Sequence, residues 1–263
     1  MGTLVKNELF KLRKKSTTKV MPLIMIGLMI LVTVLMSLSG DITDYKDIMS
    51  AGSAWLVITL ISAAGSILSM EYEYGTIKEL FSSKFSRSKI LMSKWLAIFI
   101  YSVLLNVLMI ASTFIIYFIG RATTSKFVFN WSDKMPNMGD ITVIENLVKS
   151  CAGIFLQTWL LLSVVFLLAS VIKKSSLAVT LGIVVYFASS MISGILMSLM
   201  VVFKLDWLKY SPFNMLLVNN IGVPHDKLLD FAHLDAVSLI SGALIYTVIF
   251  LIIGLLFYRR KEV

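Results

Sequence analysis

The chain is short of charge. Asp, Glu, Lys and Arg make up 15% of its 263 residues, against about a quarter in a typical soluble domain. With 58% hydrophobic residues, it holds more apolar side chains than one compact water-facing core can bury, which excludes an ordinary soluble domain. Cysteine is limited to Cys151, so neither an intrachain disulfide nor a Cys-pair metal or redox motif can form, and a lone thiol near an apolar run reads as a small packing residue. Histidine is limited to His225 and His233. Asp226, Asp230 and Asp235 lie near them, but no metal-ligand spacing is met and both read as solvated loop residues. No G-x-x-x-x-G-K-[ST], H-E-x-x-H or G-x-S-x-G occurs, which removes a P-loop, a zinc protease and a nucleophile elbow. No ionisable residue lies deep in an apolar run, where proton-coupled carriers and intramembrane proteases need one.

What the chain has instead is long apolar runs. Six are free of charge, at 20–40, 48–70, 95–120, 150–172, 175–203 and 236–258. Each exceeds the roughly 20 residues that cross a hydrocarbon core as a helix. They show no strand-like alternation, and lipid leaves backbone groups unsatisfied in any open form other than a helix. The expected fold is therefore an all-α polytopic membrane protein with six transmembrane helices.

Charge placement orients it. Segments 1–19, 71–94, 173–174 and 259–263 fall on one side and hold 16 Lys/Arg against 5 Asp/Glu, whereas the other side holds 8 against 10. Lys and Arg collect on the cytoplasmic side, so both termini are expected inside. The formal net charge of +9 then belongs with anionic headgroups of the bilayer rather than with nucleic acid.

Within residues 1–19, Leu4, Val5, Leu9 and Leu12 share one helical face and Lys6, Lys11, Arg13 and Lys14 fall largely elsewhere. That pattern predicts an interfacial amphipathic helix. The basic start followed by an apolar run mimics a signal peptide, but the run is long for a cleaved one and reads as a retained anchor. Pro22 is placed near the inner end of the first span, where a missing N–H costs little. Small residues in the second span, among them Gly52 and Gly65, let helices approach closely or line a path. Asn106 and Gln157 are amides within spans three and four, which act as helix glue or as path residues. Ser190, Gly194 and Ser198 repeat every four residues in span five as a candidate seam, with Met197 on the same stretch. Segments 121–149 and 204–235 are expected outside, the first as a small cap and the second with interfacial half-helices around Trp207, Tyr210 and Pro212.

A polar island separates spans two and three. It reads Glu71-Tyr72-Glu73-Tyr74-Gly75-Thr76-Ile77-Lys78-Glu79-Leu80-Phe81 and runs on to Arg87, Lys89 and Lys94. Ile77, Leu80 and Phe81 are spaced to form one stripe on a short helix. Two short amphipathic pieces on the cytoplasmic face suit contact with a protein as well as with lipid.

The island, with Ser86-Arg87 and Lys94, resembles the E-x-E-x-G-T-[IL] … [ST]-R … K pattern of type-2 ATP-binding-cassette permeases. The six-span layout, the N-terminal helix and Ser211-Pro212-Phe213 resemble that family too; Lys84 departs from it, near where the family often has proline. The resemblance implies one permease domain over 1–263, with 71–94 as a cytoplasmic coupling loop. It implies a bacterial cytoplasmic-membrane exporter subunit, not an enzyme, working as a homodimer or with a second permease. A separate ATPase would bind ATP and Mg, and this chain would carry no cofactor. For coupling, Ile77, Leu80 and Phe81 would supply apolar anchors and Glu71, Glu73 and Lys78 polar fixing, beside Gly75, Thr76 and Arg87 of the motif. Asn106, Gln157, Ser190, Gly194 and Met197 would lie along the substrate path. Similar permeases move peptide toxins, lantibiotics and bacitracin-like antibiotics, so amphipathic peptide is the expected cargo. Alternatives are export of a drug, lipid or sodium, or a membrane peptide sensor or immunity protein that transports nothing.

Overall fold

In the computed structural model, residues 1–39, 45–73, 75, 85–123, 134, 141–172 and 174–260 are described. Six of their helices are long and apolar enough to cross a membrane. Among the described residues, eight α-helices run in the order α1 (Gly2–Lys14), α2 (Ser16–Ser39), α3 (Tyr45–Glu73), α4 (Arg87–Thr123), α5 (Val143–Val171), α6 (Ser175–Phe203), α7 (His225–Ala232) and α8 (Ala236–Arg260). Two 3-10 segments, Asp206–Tyr210 and Asn214–Asn220, lie between α6 and α7. Among the described residues the only β pairing is an isolated bridge of Lys134 with Thr142. The expected all-α architecture with six candidate spans and a separate N-terminal helix is what the chain adopts.

The spans divide into a centre and a periphery. In α3 and α5, 67% and 56% of the apolar window is buried inside the chain, against 17% in each of α2, α6 and α8. The centre therefore buries side chains on most faces, while the outer helices present one face inward and leave the rest to lipid or another protein. α3 packs against α2, α4, α5 and α6, and α5 packs most extensively against α8.

Small residues set the closest approaches. A Cβ on Gly65 of α3 would lie 2.9 Å from Val179 Cγ2, and one on Gly182 of α6 would lie 2.6 Å from Ile61 Cγ2. The two glycines thus let α3 and α6 touch backbone to side chain, as the small-residue content of span two suggests.

Pro22 lies inside α2, which begins at Ser16, rather than at its first turn. Its missing N–H frees the carbonyl of Thr18 one turn earlier. Tyr101 of α4 fills the gap, its hydroxyl donating to Thr18 O at 3.2 Å. Trp55 Nε1 of α3 donates to Met21 O at 3.2 Å. The proline therefore costs α2 a bond that its neighbours restore, and α2 is keyed to both of them.

The segment between α6 and α8 folds back over the bundle, with Met215, Leu216 and Val218 buried and Trp207 and Tyr210 exposed. The expected half-helices are here 3-10 turns, and the exposed aromatics suit a membrane interface. Asn146 holds this end together. Its Oδ1 accepts from Tyr45 Oη of α3 at 2.7 Å, and its Nδ2 donates to Gly222 O. Asn214 Nδ2 donates to Lys209 O at 2.8 Å and to Ala232 O at 2.9 Å. A Cβ at Gly153 would sit 2.4 Å from Val218 O, so α5 admits the returning chain only through glycine. Gly153→Val is expected to destabilise the protein by about 1–3 kcal/mol through overpacking, read as a lowered midpoint in thermal unfolding of the detergent-solubilised chain.

Candidate functional site

Two regions of opposite character stand at opposite ends of α3. The first is the basic end, where α3 stops at Glu73 and α4 starts at Arg87. α4 has 37 residues, or about 55 Å at about 1.5 Å per residue. That exceeds a hydrocarbon core of about 30 Å, so part of the helix extends beyond the lipid tails.

Four side chains from three helices meet there. Lys94 of α4 is 0% exposed. Its Nζ donates to Glu71 Oε1 of α3 at 2.8 Å, to Ile67 O at 3.0 Å and to Glu8 Oε2 of α1 at 3.3 Å. An ammonium has three donors, and all three are used. Lys11 of α1 donates to Glu8 Oε1 and Glu71 Oε1, each at 2.9 Å. Two carboxylates and two ammonium groups leave the cluster formally neutral, the condition under which buried charge is tolerable.

α1 contributes its inner face to this cluster. Val5 and Leu12 are buried and Leu9 packs against the core, as its amphipathic pattern suggests. Glu8 lies between them on the same stripe and is 4% exposed.

Arg87 makes a second tie. Its Nη1 donates to Arg259 O at 3.0 Å, near the end of α8, where free carbonyls and the helix dipole favour a cation. The basic end thus joins α1, α3 and α4 through the cluster, and α4 to α8 through Arg87.

The expected coupling residues divide as follows. Glu71 is 7% exposed and turned into the cluster, a placement that carboxylate spacing alone does not reveal. Glu73 ends α3, and its side chain lies outside the described set. Gly75 is exposed at φ +71 with nothing within 4 Å of an added Cβ, so glycine serves the left-handed backbone there rather than a close contact. Thr76, Ile77, Lys78, Leu80 and Phe81 lie outside the described residues, and so does the short helix expected over them. Glu8 and Lys11 are the residues that pattern reading missed. The available signal was a carboxylate placed within an apolar stripe.

The second region is a hollow of about 540 Å³ bounded by α3, α5, α6 and the Asn214–Asn220 segment. Gln157, Ser190, Gly194 and Met197 all line it. Ser50, Ser53, Asn219 and Asn220 add polar groups, Tyr186 and Leu217 add apolar area, and none of the described residues lining it is charged. Four of the five expected path residues are thereby brought together. Asn106 is set apart from them. It is buried in α4, and its Nδ2 donates to Ser102 O of the same helix at 2.8 Å. It therefore glues no second helix through that bond.

The Ser190, Gly194 and Ser198 stripe is exposed, with nothing within 4 Å of an added Cβ at Gly194. Ser189 and Ser193 are the buried serines of α6, and they line the hollow as well.

Residues 4–190 match the family described as ABC-2 family transporter protein. The chain belongs to that family, a class of transmembrane permease subunits of ABC transporters. It is also similar to a curated relative, the uncharacterized protein YhcI of Bacillus subtilis (strain 168), at 28% identity over 211 residues. That match covers 79% of this chain and 64% of the relative, so the chain spans less than two thirds of the relative's length. With six apolar helices, family membership makes this a multi-pass membrane protein.

Lys94→Met leaves two carboxylates buried with half their counter-charge and is expected to cost about 3–5 kcal/mol. Removing the charge of Glu8, Glu71 and Lys94 together should recover much of that loss, both read by thermal unfolding in detergent. Lys11 behaves differently because its side chain is 51% exposed. Burial lowers its pKa, but the Glu71 and Glu8 carboxylates outweigh that and hold it above the ordinary 10.5. Its stabilisation is therefore fully present below that value and is lost only as pH rises through the raised folded one. Lys11→Met should cost no more than about 1 kcal/mol at neutral pH, with the difference from wild type vanishing above the folded lysine pKa.

Proposed function

We propose that this chain is the membrane subunit of an ATP-driven exporter in a bacterial cytoplasmic membrane. It works as a dimer, with itself or a similar permease, above a separate cytoplasmic ATPase that binds ATP and Mg. The ATPase docks at the basic end, where the 74–86 connection emerges between α3 and α4. Ile77, Leu80 and Phe81 are the apolar anchors of that contact, with Lys78 and Glu73 beside them. Family membership supports this assignment, and so does the lack of any P-loop in the chain.

The cargo reading rests on the hollow. Its lining is uncharged yet rich in amides and hydroxyls, with Met197, Leu216 and Leu217 beside them. Such a surface suits an amphipathic molecule carrying neutral hydrogen-bonding groups, and a peptide presents both through its backbone amides and apolar side chains. Its volume falls within the roughly 300–1,000 Å³ of sites that hold compact ligands. An inorganic cation such as sodium would meet no carboxylate among the described lining residues. The exposed Ser190, Gly194 and Ser198 stripe flanks the hollow and is the face on which a second copy would close it, since small residues allow helices in lipid to approach.

Co-purification with the cognate ATPase tests the docking reading. Leu80→Asp should abolish the complex while leaving the permease folded, and an unchanged complex would overturn the coupling assignment. In the reconstituted complex, amphipathic peptides should stimulate ATP hydrolysis. Gln157→Leu should raise the peptide concentration needed by about 3- to 10-fold, the effect of losing roughly one net hydrogen bond of about 0.5–1.5 kcal/mol. Stimulation by drugs or lipids alone would assign a different cargo.

A further inference from the structure

The buried cluster carries a consequence beyond its contribution to stability. We propose that Lys94, through Glu71 and Glu8, is a positioning residue that makes α1 move with the coupling segment, so that α1 and α2 are driven together with α3 and α4. The inference rests on the exporter reading above and assigns roles to Lys94 and Glu8 within it.

Placement argues for this. Glu71 lies two residues before the end of α3, and Lys94 lies seven residues inside α4, about two turns. The cluster therefore spans both stems of the 74–86 connection close to where a docked ATPase would push. The third partner, Glu8, belongs to neither stem. It sits midway along α1, so its 3.3 Å contact with Lys94 and the Lys11 contact with Glu71 cross from the stems to a separate helix.

α1 is followed directly by α2, with only Lys15 between them in extended backbone. One residue leaves little slack, so a displacement of α1 passes into α2. Apolar contact alone would let α1 slide on α3 and α4, because the hydrophobic effect is non-directional. A fully buried ammonium with three fixed acceptors does not slide: each partner that leaves strands a charge away from water. Electrostatics therefore supplies a directional lock where packing supplies only adhesion.

Spin labels at two exposed positions test it. Phe10 on α1 is 60% exposed and Met92 on α4 is 48% exposed. Both are replaced by cysteine in a Cys151→Ala background, and distances are measured with and without nucleotide in the ATPase complex. The wild-type cluster should give one narrow distance in every nucleotide state. Glu8→Gln keeps the Lys94–Glu71 pair and removes the one carboxylate that α1 brings to the cluster, a smaller perturbation of folding than Lys94→Met; in it the distance should broaden and differ between states. Cargo moved per ATP should fall at least about fivefold, the lower end of coupling between sites, while ATP hydrolysis continues. A structural role alone would lower stability and leave that ratio unchanged.

An unbroadened distance and an unchanged cargo-to-ATP ratio in Glu8→Gln would overturn the lock while leaving the exporter reading intact. A wild-type complex that hydrolyses ATP and moves no cargo would overturn the exporter reading, and the role in transport with it. The Phe10–Met92 distance in the chain alone still reads whether Glu8 ties α1 to α4.

Discussion

A lysine with no exposed surface needs every one of its hydrogens accounted for, and Lys94 constrains the basic end of this protein for that reason. Its acceptors come from two helices besides its own. α1 must therefore lie where Glu8 reaches it, and α3 must present both Glu71 and the carbonyl of Ile67. The geometry is over-determined. Moving any one of the three helices by an ångström or two breaks a bond to an ammonium that has no exposed surface. Replacing such a cluster with apolar residues of equal volume is often neutral or stabilising. Its presence is thus better explained by specificity of arrangement than by stability.

The opposite end is built from different material. Asn146, Tyr45 and Asn214 fasten the returning chain with neutral hydrogen bonds, and glycine at 153 and 242 lets it lie close. Parting a neutral hydrogen-bonded pair costs less than stranding a buried ion without its partner, so this end can open at lower cost. The hollow lies beside it, lined by the same uncharged chemistry. α3 links the two ends. Tyr45 begins it, Ser50 and Ser53 face the hollow, and Glu71 enters the cluster near its close. At about 1.5 Å per residue the helix carries position over about 39 Å between Tyr45 and Glu71, with no proline to bend it. A rigid rod tied firmly at one end and lightly at the other is suited to carry a displacement toward the lightly held end.

Much of this was legible in the chain because membrane insertion leaves a coarse and redundant signal. Absence of charge over more than twenty residues has few physical explanations, so six spans could be read directly. α1 was legible from its apolar stripe. The bundle's interior was less so. In lipid, hydrophobicity does not separate buried faces from exposed ones, because the surrounding solvent is as apolar as the core. The four-residue spacing in α6 marks Ser190, Gly194 and Ser198 as a stripe but does not reveal that Ser189 and Ser193 are the serines that turn inward. Asn106 and Gln157 look alike as amides within spans, yet one bonds its own helix and the other lines the hollow. Only helix rotation separates them, and local sequence carries little of it.

Glu71 marks the sharper lesson. In a run of Glu71, Glu73, Lys78 and Glu79 it reads as one of several surface charges available to a partner. Its fate is decided by residues far away in sequence, since Glu8 and Lys94 lie 63 and 23 positions from it. A carboxylate on the inward stripe of α1 is an anomaly that a partner must resolve, because an unpaired charge among Val5, Leu9 and Leu12 would be expensive to bury. A lysine at the junction of a polar island and an apolar run is the complementary anomaly. Taken one at a time, each is an ordinary exception at a membrane boundary. Taken together, two charges of opposite sign that both stand on apolar faces at the same boundary have one inexpensive solution, which is each other. Glu71 then completes the set of acceptors that a buried ammonium demands, and for that reason it turns into the protein rather than toward solvent.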